Sequence, residues 1–319
     1  MAGIPGNQAY LLNGIQTGKS VAITAWQDKH YFSGGSISPD KQTEQLAETD
    51  SSRDSGDSYV TETTMAGSPE VYGRLETIHH WLEYVLGKRE TTGAGPYTHV
   101  LTASDEIPYV TFGRKQGSIL FEEFVNTKVS EITFAAPTHS PLTVAATIVG
   151  LGATRLVEEW KGGLLPPAAP TSTPYNFNNA TVKLGGAETR LVSSFETTVS
   201  NSVSTQPTDD AVPFDVTAGQ RNVSLGFDLI FESLTAYNEF HYGSGAGTAQ
   251  VSTLPSTSAE FTFTLGTASV TFFYPKIIYE EFPVEPDPGG DAIVVPVRAV
   301  SQRHAEGKLK ATVVNSASK

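Results

Sequence analysis

The chain has 319 residues, no cysteine, and 34 acidic against 21 basic side chains, a formal net charge of −13. The missing cysteines exclude disulfides and thiolate metal sites, and the acidic balance argues against a protein that grips nucleic acid through its phosphates. Hydrophobic residues make up 39%, enough for a core, and the length exceeds the usual ~100–200 residues of one domain. The opening Met-Ala-Gly-Ile-Pro-Gly has neither the basic nor the apolar region of an export signal, and no apolar run approaches a membrane span. The expectation is a soluble protein made in the cytoplasm.

In chain order, Lys19–Phe32 reads as the first strand, with Val21, Ile23 and Ala25 on one side. Gly34–Gly56 is polar, charged and aperiodic, the composition of a disordered surface loop or, on the sharper reading, of a long loop that orders against a partner subunit. Ser36, Asp40, Lys41, Glu44, Glu48, Asp50, Arg53 and Asp54 are its candidate contact residues. Ser58–Met65 resumes a strand. Arg74–Leu86 then repeats Leu75, Ile78, Leu82 and Val85 or Leu86 at helical spacing, with Gly87 where a left-handed cap belongs. On that amphipathic helix His79 falls near the apolar stripe and His80 near solvent. Tyr97–Thr102 and Pro108–Phe112 are expected to pair as a hairpin, and Ile119–Ala136 and Leu142–Gly150 close the half.

Gly162–Pro174 is rich in proline, which fixes φ and removes ladder donors, so it reads as an extended connector. Beyond it Phe195 and Val199 alternate with Ser194, Glu196, Thr198 and Ser200, and Val223, Leu225, Phe227 and Leu229 with Ser224 and Asp228. A polar loop (Ser202–Gln220), a short amphipathic segment (Thr235–Tyr242), a hairpin (Phe261–Phe273) and closing strands (Ala292–Val300, Leu309–Val314) complete the chain. Strand, long polar loop, strand, short helix, hairpin and closing strands thus occur in the same order in both halves, as in a tandem duplication. The expectation is a mainly β protein with modules at residues 1–160 and 181–319, each carrying one short helix, joined by a linker at 161–180.

No catalytic constellation stands out. Gly14-Ile-Gln-Thr-Gly-Lys-Ser20 has three residues between its glycines where a phosphate loop needs four. Gly243–Gly247 follows a helical segment instead of opening one. Ser194, His241 and Asp228 lack a nucleophile elbow. Glu122–Glu123 and Glu280–Glu281 are adjacent on strands and point to opposite faces. No cofactor or metal is expected.

The order Gly73-Arg-Leu-Glu through Val85-Leu-Gly87, Gly93-Ala-Gly-Pro-Tyr-Thr-His99 and Ile107-Pro-Tyr-Val110, then Val192–Asn201, Thr217–Arg221 and Asn222–Glu232, resembles the tail tube (major tail) proteins of long-tailed bacteriophages. The resemblance covers about Tyr59 to Val314 and implies β-sandwich or barrel modules forming rings that stack into a hollow tube. A virion protein, it would polymerise with itself and meet tape measure, tail terminator and distal tail proteins. Double-stranded DNA would pass through without tight binding, and no membrane is involved. Three copies per ring follow if the chain is duplicated, six if both halves make one module. If the strands after the connector line the lumen, the facing side chains are Ser194, Glu196, Thr198, Ser224, Asp228 and Glu232. The competing reading is a carbohydrate-binding β-sandwich, adhesin or baseplate protein, which would need exposed aromatic platforms; the chain has only three tryptophans.

Overall fold

The computed structural model describes residues 6–47, 56–156, 160, 164–232, 234–252, 255–285 and 292–316. It is 53% strand and 8% helix, and among the described residues its antiparallel pairings form no closed barrel. The first half contains β1 (Ala9–Ile15), β2 (Asp28–His30), β3 (Ile37–Gln45), β4 (Ser58–Gly67), β5 (Glu70–Tyr72), α1 (Ile78–Leu86), β6 (Gly87–Thr92), β7 (Tyr97–Ala103), β8 (Val110–Gln116), β9 (Leu120–Ala136), β10 (Thr143–Gly150) and β11 (Ala153–Leu156). The second contains β12 (Ala180–Leu184), β13 (Ala187–Thr189), β14 (Phe195–Ser200), β15 (Ser204–Gln206), β16 (Asp215–Thr217), β17 (Asn222–Ile230), α2 (Leu234–Tyr242), β18 (Thr257–Leu265), β19 (Ala268–Glu281), β20 (Val294–Ser301) and β21 (Lys310–Asn315).

The long strands β9 and β19 organise both halves in the same way. The start of β9 pairs with β8 on one edge and β11 on the other, and its end pairs with β10. The start of β19 pairs with β18 and β21, and its end with β20. The irregularities recur as well. The ladder of β8 with β9 shifts between Val110↔Thr127 and Phe112↔Phe124, and that of β18 with β19 between Thr257↔Ile277 and Ala259↔Tyr274. Ser130 is skipped opposite β10, and Glu280 is skipped opposite β20. A bulge adds local twist, and here the irregularities fall at corresponding places along the two long strands. The outer strands follow suit: β1 flanks β8 and carries β2, while β12 flanks β18 and carries β13. In turn β10 pairs with β4 and β5, and β20 with β17.

The halves are also sewn together. β14 pairs with the end of β9, from Phe195↔Ala136 to Ser200↔Glu131, and β7 pairs with β21. One buried cluster holds residues of both halves. Phe195 lies 4.8 Å from Phe261 and 5.1 Å from Phe272, ring centroid to centroid, and Phe272 lies 5.3 Å from Phe134. A smaller cluster of Tyr10, Trp26, Phe121 and Trp160 sits against β8 at Gly113, where a Cβ would come within 2.7 Å of the Trp160 ring.

Several sequence expectations are corrected. The first strand is Ala9–Ile15, and Lys19–Trp26 is irregular. β7 and β8 do not pair with each other; β7 forms its hairpin with β6 across Gly93–Pro96. The helix begins at Ile78, not Arg74, because the backbone of Arg74 bridges Pro174 and Glu76 accepts from the amides of Thr171 and Ser172 in the connector. Gly87 caps it at φ 97°, its N–H bonded to the Glu83 carbonyl. The helix is not amphipathic: every residue but Glu83 is buried, His80 included. Residues 37–45, expected as loop, form a strand paired with β4 from Ile37↔Gly67 to Gln45↔Ser58. Both sides of this arm are largely exposed, so no alternation marks it. Glu48, Asp50, Arg53 and Asp54 lie outside the described residues.

Candidate assembly edge and channel face

β10, β9, β14, β17 and β20 pair in that order, and the run crosses from one half of the chain to the other. One face is core: Val144, Ile132, Phe134, Phe195, Val199, Val223, Leu225, Phe227 and Val297 are buried. The opposite face carries Thr133, Thr198, Ser200 and Ser224 with the carboxylates Glu131, Glu196 and Asp228; its cations are Arg298 and, before the bulge at Ser130, Lys128 opposite Val149. Thr133 and Thr198 oxygens lie 2.8 Å apart across the joint between halves. Ser194, just ahead of β14, donates to the Asp228 carboxylate at 2.8 Å and accepts from the Asp228 amide at 2.9 Å.

Five of the six residues expected on a channel wall, Ser194, Glu196, Thr198, Ser224 and Asp228, are therefore neighbours on one solvated face. Glu232 is exposed but follows the end of β17 at Ile230. Glu131 was missed: its place on this face depends on the pairing of β9 with β14, which nothing in the local sequence announces.

The joint is held from below. Asn201 is buried; its amide side chain donates to the Val85 carbonyl at 2.9 Å and accepts from the Arg221 guanidinium at 2.9 Å, and its backbone N–H reaches Ser130. Arg221 also reaches the carbonyl of Ser104 at 2.6 Å, so an amide and a cation serve the carbonyl end of α1. The loop Ser202–Gln220 folds as the hairpin of β15 and β16, tied to the first half. There Tyr109 donates to Asp215 at 2.7 Å, Lys19 lies over the Phe214 ring at 3.6 Å, and Thr63 donates to the Ala211 carbonyl at 2.7 Å. Thr63 belongs to β4, opposite Lys41, so the arm is braced midway along its length by this second loop. Ser36, Asp40, Lys41 and Glu44 lie on or beside the arm; Asp40, Lys41 and Glu44 are exposed.

Beneath α1 lies a buried polar cluster. His80 Nδ1 and the Asp28 carboxylate are 2.6 Å apart, His30 Nε2 is 2.8 Å from the Asn13 amide, and His79 stacks on His99 with centroids 4.5 Å apart. Burial raises the Asp28 carboxyl to about 7, although His30 pulls the other way. Burial lowers His30 to about 4 and, helped by Arg89, His80 to about 3. Both imidazoles are neutral near pH 7. Among the described residues no group of three His, Asp or Glu side chains could hold a metal.

The remaining chemical motifs come apart. Gly14 and Ile15 belong to β1 and no helix follows Ser20, so the phosphate-loop geometry is not formed. Glu122 is paired with Arg114, and Glu281 lies 3.5 Å from Arg298. Trp26, Trp81 and Trp160 are all buried, so none offers a face to a sugar ring. Among the described residues no helix is long and apolar enough to cross a membrane.

No curated protein matches the chain. The family model described as phage tail tube protein matches residues 6–301, and the chain belongs to that family.

Proposed function

We propose that the chain is the building block of a phage tail tube in which three copies close a ring of six similar modules. Stacked rings then form the conduit through which DNA leaves the capsid. Family membership supplies the structural role of a tail component; the threefold ring is our own step. The observation that carries it is the pairing scheme around β9 and β19, which repeats down to the position of each bulge. Two modules of one topology, joined head to tail within the chain, can be joined head to tail between chains by the same geometry. Heterologous contacts of that kind close a ring.

In this reading the modules correspond to residues 1–160 and 181–319, and the wall bearing Glu131, Glu196 and Asp228 faces the lumen. Water held by Thr133, Thr198 and Ser224 and repulsion of phosphate by the carboxylates let DNA slide, whereas lysine or arginine contacts would bind it in a salt-dependent way. The arms reach the next ring. The tape measure protein occupies the lumen before DNA does, and tail terminator and distal tail proteins cover the two ends. Native mass spectrometry of rings released from purified tubes tests the stoichiometry: the expected species contains three chains, and one of six chains overturns the threefold ring.

A further inference from the structure

We infer that consecutive subunits are joined by one defined strand pairing: the outer edge of β3 in one copy adds to the segment that follows β19, Phe282–Glu285, in the next. The inference rests on the tube reading above and specifies its contact. The register follows from the repeat. Within the chain, β14 is sandwiched between β17 and the end of β9. β3 holds the place of β14 in the first half: it pairs with β4 as β14 pairs with β17, with Ser38↔Ala66 matching Thr198↔Ser224. Yet among the described residues β3 pairs with β4 alone, and a long, one-sided edge is a template for another chain.

The missing partner is equally defined. Beyond the bulge at Ser130, residues 131–136 of β9 receive β14. Beyond the matching bulge at Glu280, β19 ends at Glu281 and the chain runs on through Glu285 outside any strand; among the described residues no strand pairs with this segment. Carrying the register over places Ser38 opposite Pro283 and Ser36 opposite Glu285, as Thr198 faces Thr133 and Glu196 faces Ala135. The two prolines have different consequences. Thr133 turns its N–H away from β14, so Pro283 costs nothing at its matching position, while Pro39 removes one donor from the joint. The same register sets Asp40 opposite Glu281, beside the Arg298 cation. The added strand would continue the polar wall from one subunit to the next.

The absence of cysteine makes the test direct. A Ser38→Cys, Pro283→Cys variant is assembled and oxidised. In the internal joint the matching Thr133 and Thr198 oxygens touch at 2.8 Å, a non-hydrogen-bonded pair whose Cα separation of about 4.5 Å suits a disulfide. Thr133→Cys with Thr198→Cys is therefore the positive control and gives a bond within one chain. The expected result is a non-reducing ladder of linked chains that ends at the number of subunits per ring and is absent from either single variant. Tubes that form without an interchain bond, while the control pair oxidises, overturn the joint and leave the tube reading standing. If wild-type protein forms no ring, the tube reading fails and the joint with it. If the variant alone fails to assemble, Ser36→Cys with Glu285→Cys, one pair along on the same face, gives the ladder or refutes the register.

Discussion

Reversing charge on the proposed channel wall is the most informative perturbation of function. Glu131→Lys with Glu196→Lys places two lysines per chain on the solvated face of β9 and β14. Glu196 is exposed and Glu131 half-buried, and surface substitutions of this kind change stability by no more than about 0.5 kcal/mol, so the fold and the rings should persist. With three chains per ring, six ammonium groups would ring the lumen at one level. If all six met phosphate, binding would fall with salt with a slope of about −5 in the logarithms, or roughly 10³-fold between 50 and 200 mM. The assay is co-sedimentation of short duplex DNA with assembled tubes across that salt range, alongside the kinetics of genome ejection from particles carrying the variant. Retention at low salt that disappears at high salt, with slowed ejection, is expected. Variant tubes that bind no more DNA than wild type at 50 mM salt and eject at the same rate refute the assignment of this face to the channel.

Three other outcomes follow from the same structure. Asn201→Ala removes two side-chain hydrogen bonds and leaves the Arg221 Nε and the Val85 carbonyl without their Asn201 partner, which should cost about 2–4 kcal/mol in chemical denaturation; a loss under ~1 kcal/mol would mean that the joint is held elsewhere. Replacing residues 43–61 by Asn-Gly joins the paired positions Gln42 and Glu62 through a two-residue turn; rings should form but no longer stack in negative stain, and full-length tubes would contradict the role given to the arm. Acidification should destabilise the subunit. Between about pH 6.5 and 4 the unfolded chain protonates His30 and His80 while the fold keeps both neutral, and the fold instead holds one proton on Asp28. The unfolded state then binds one proton more, so stability falls by roughly 1.4 kcal/mol per unit as pH drops. In Asp28→Asn the difference becomes two protons and the slope of melting temperature against pH should steepen; an unchanged slope would show that the cluster does not titrate in this way.

Legibility in the sequence depended on whether one face of an element meets the core. β9, β10, β17 and the hairpin of β18 and β19 were readable because Leu142–Ile148 and Val223–Leu229 alternate against solvent. The end of α1 was readable because Gly87 alone tolerates its φ of 97°. The helix itself misled: β6, β7, β9 and β21 enclose it, so its period describes a buried rod, and His80 finds Asp28 where water was expected. The arm was missed because both its faces are wet. The polar face was half visible: β14 and β17 show their polar sides locally, whereas Glu131 joins them only through a pairing between positions more than sixty residues apart, and no local pattern encodes that.

The central claim is tested most directly by a symmetry-resolved reconstruction of tubes assembled from the purified protein. The account predicts rings of three chains with near-sixfold density, Glu131 and Glu196 on the inner wall, and β3 of each chain paired beyond Glu281 of its neighbour. Rings of six chains, or an inner wall built from another face of the sandwich, would contradict it.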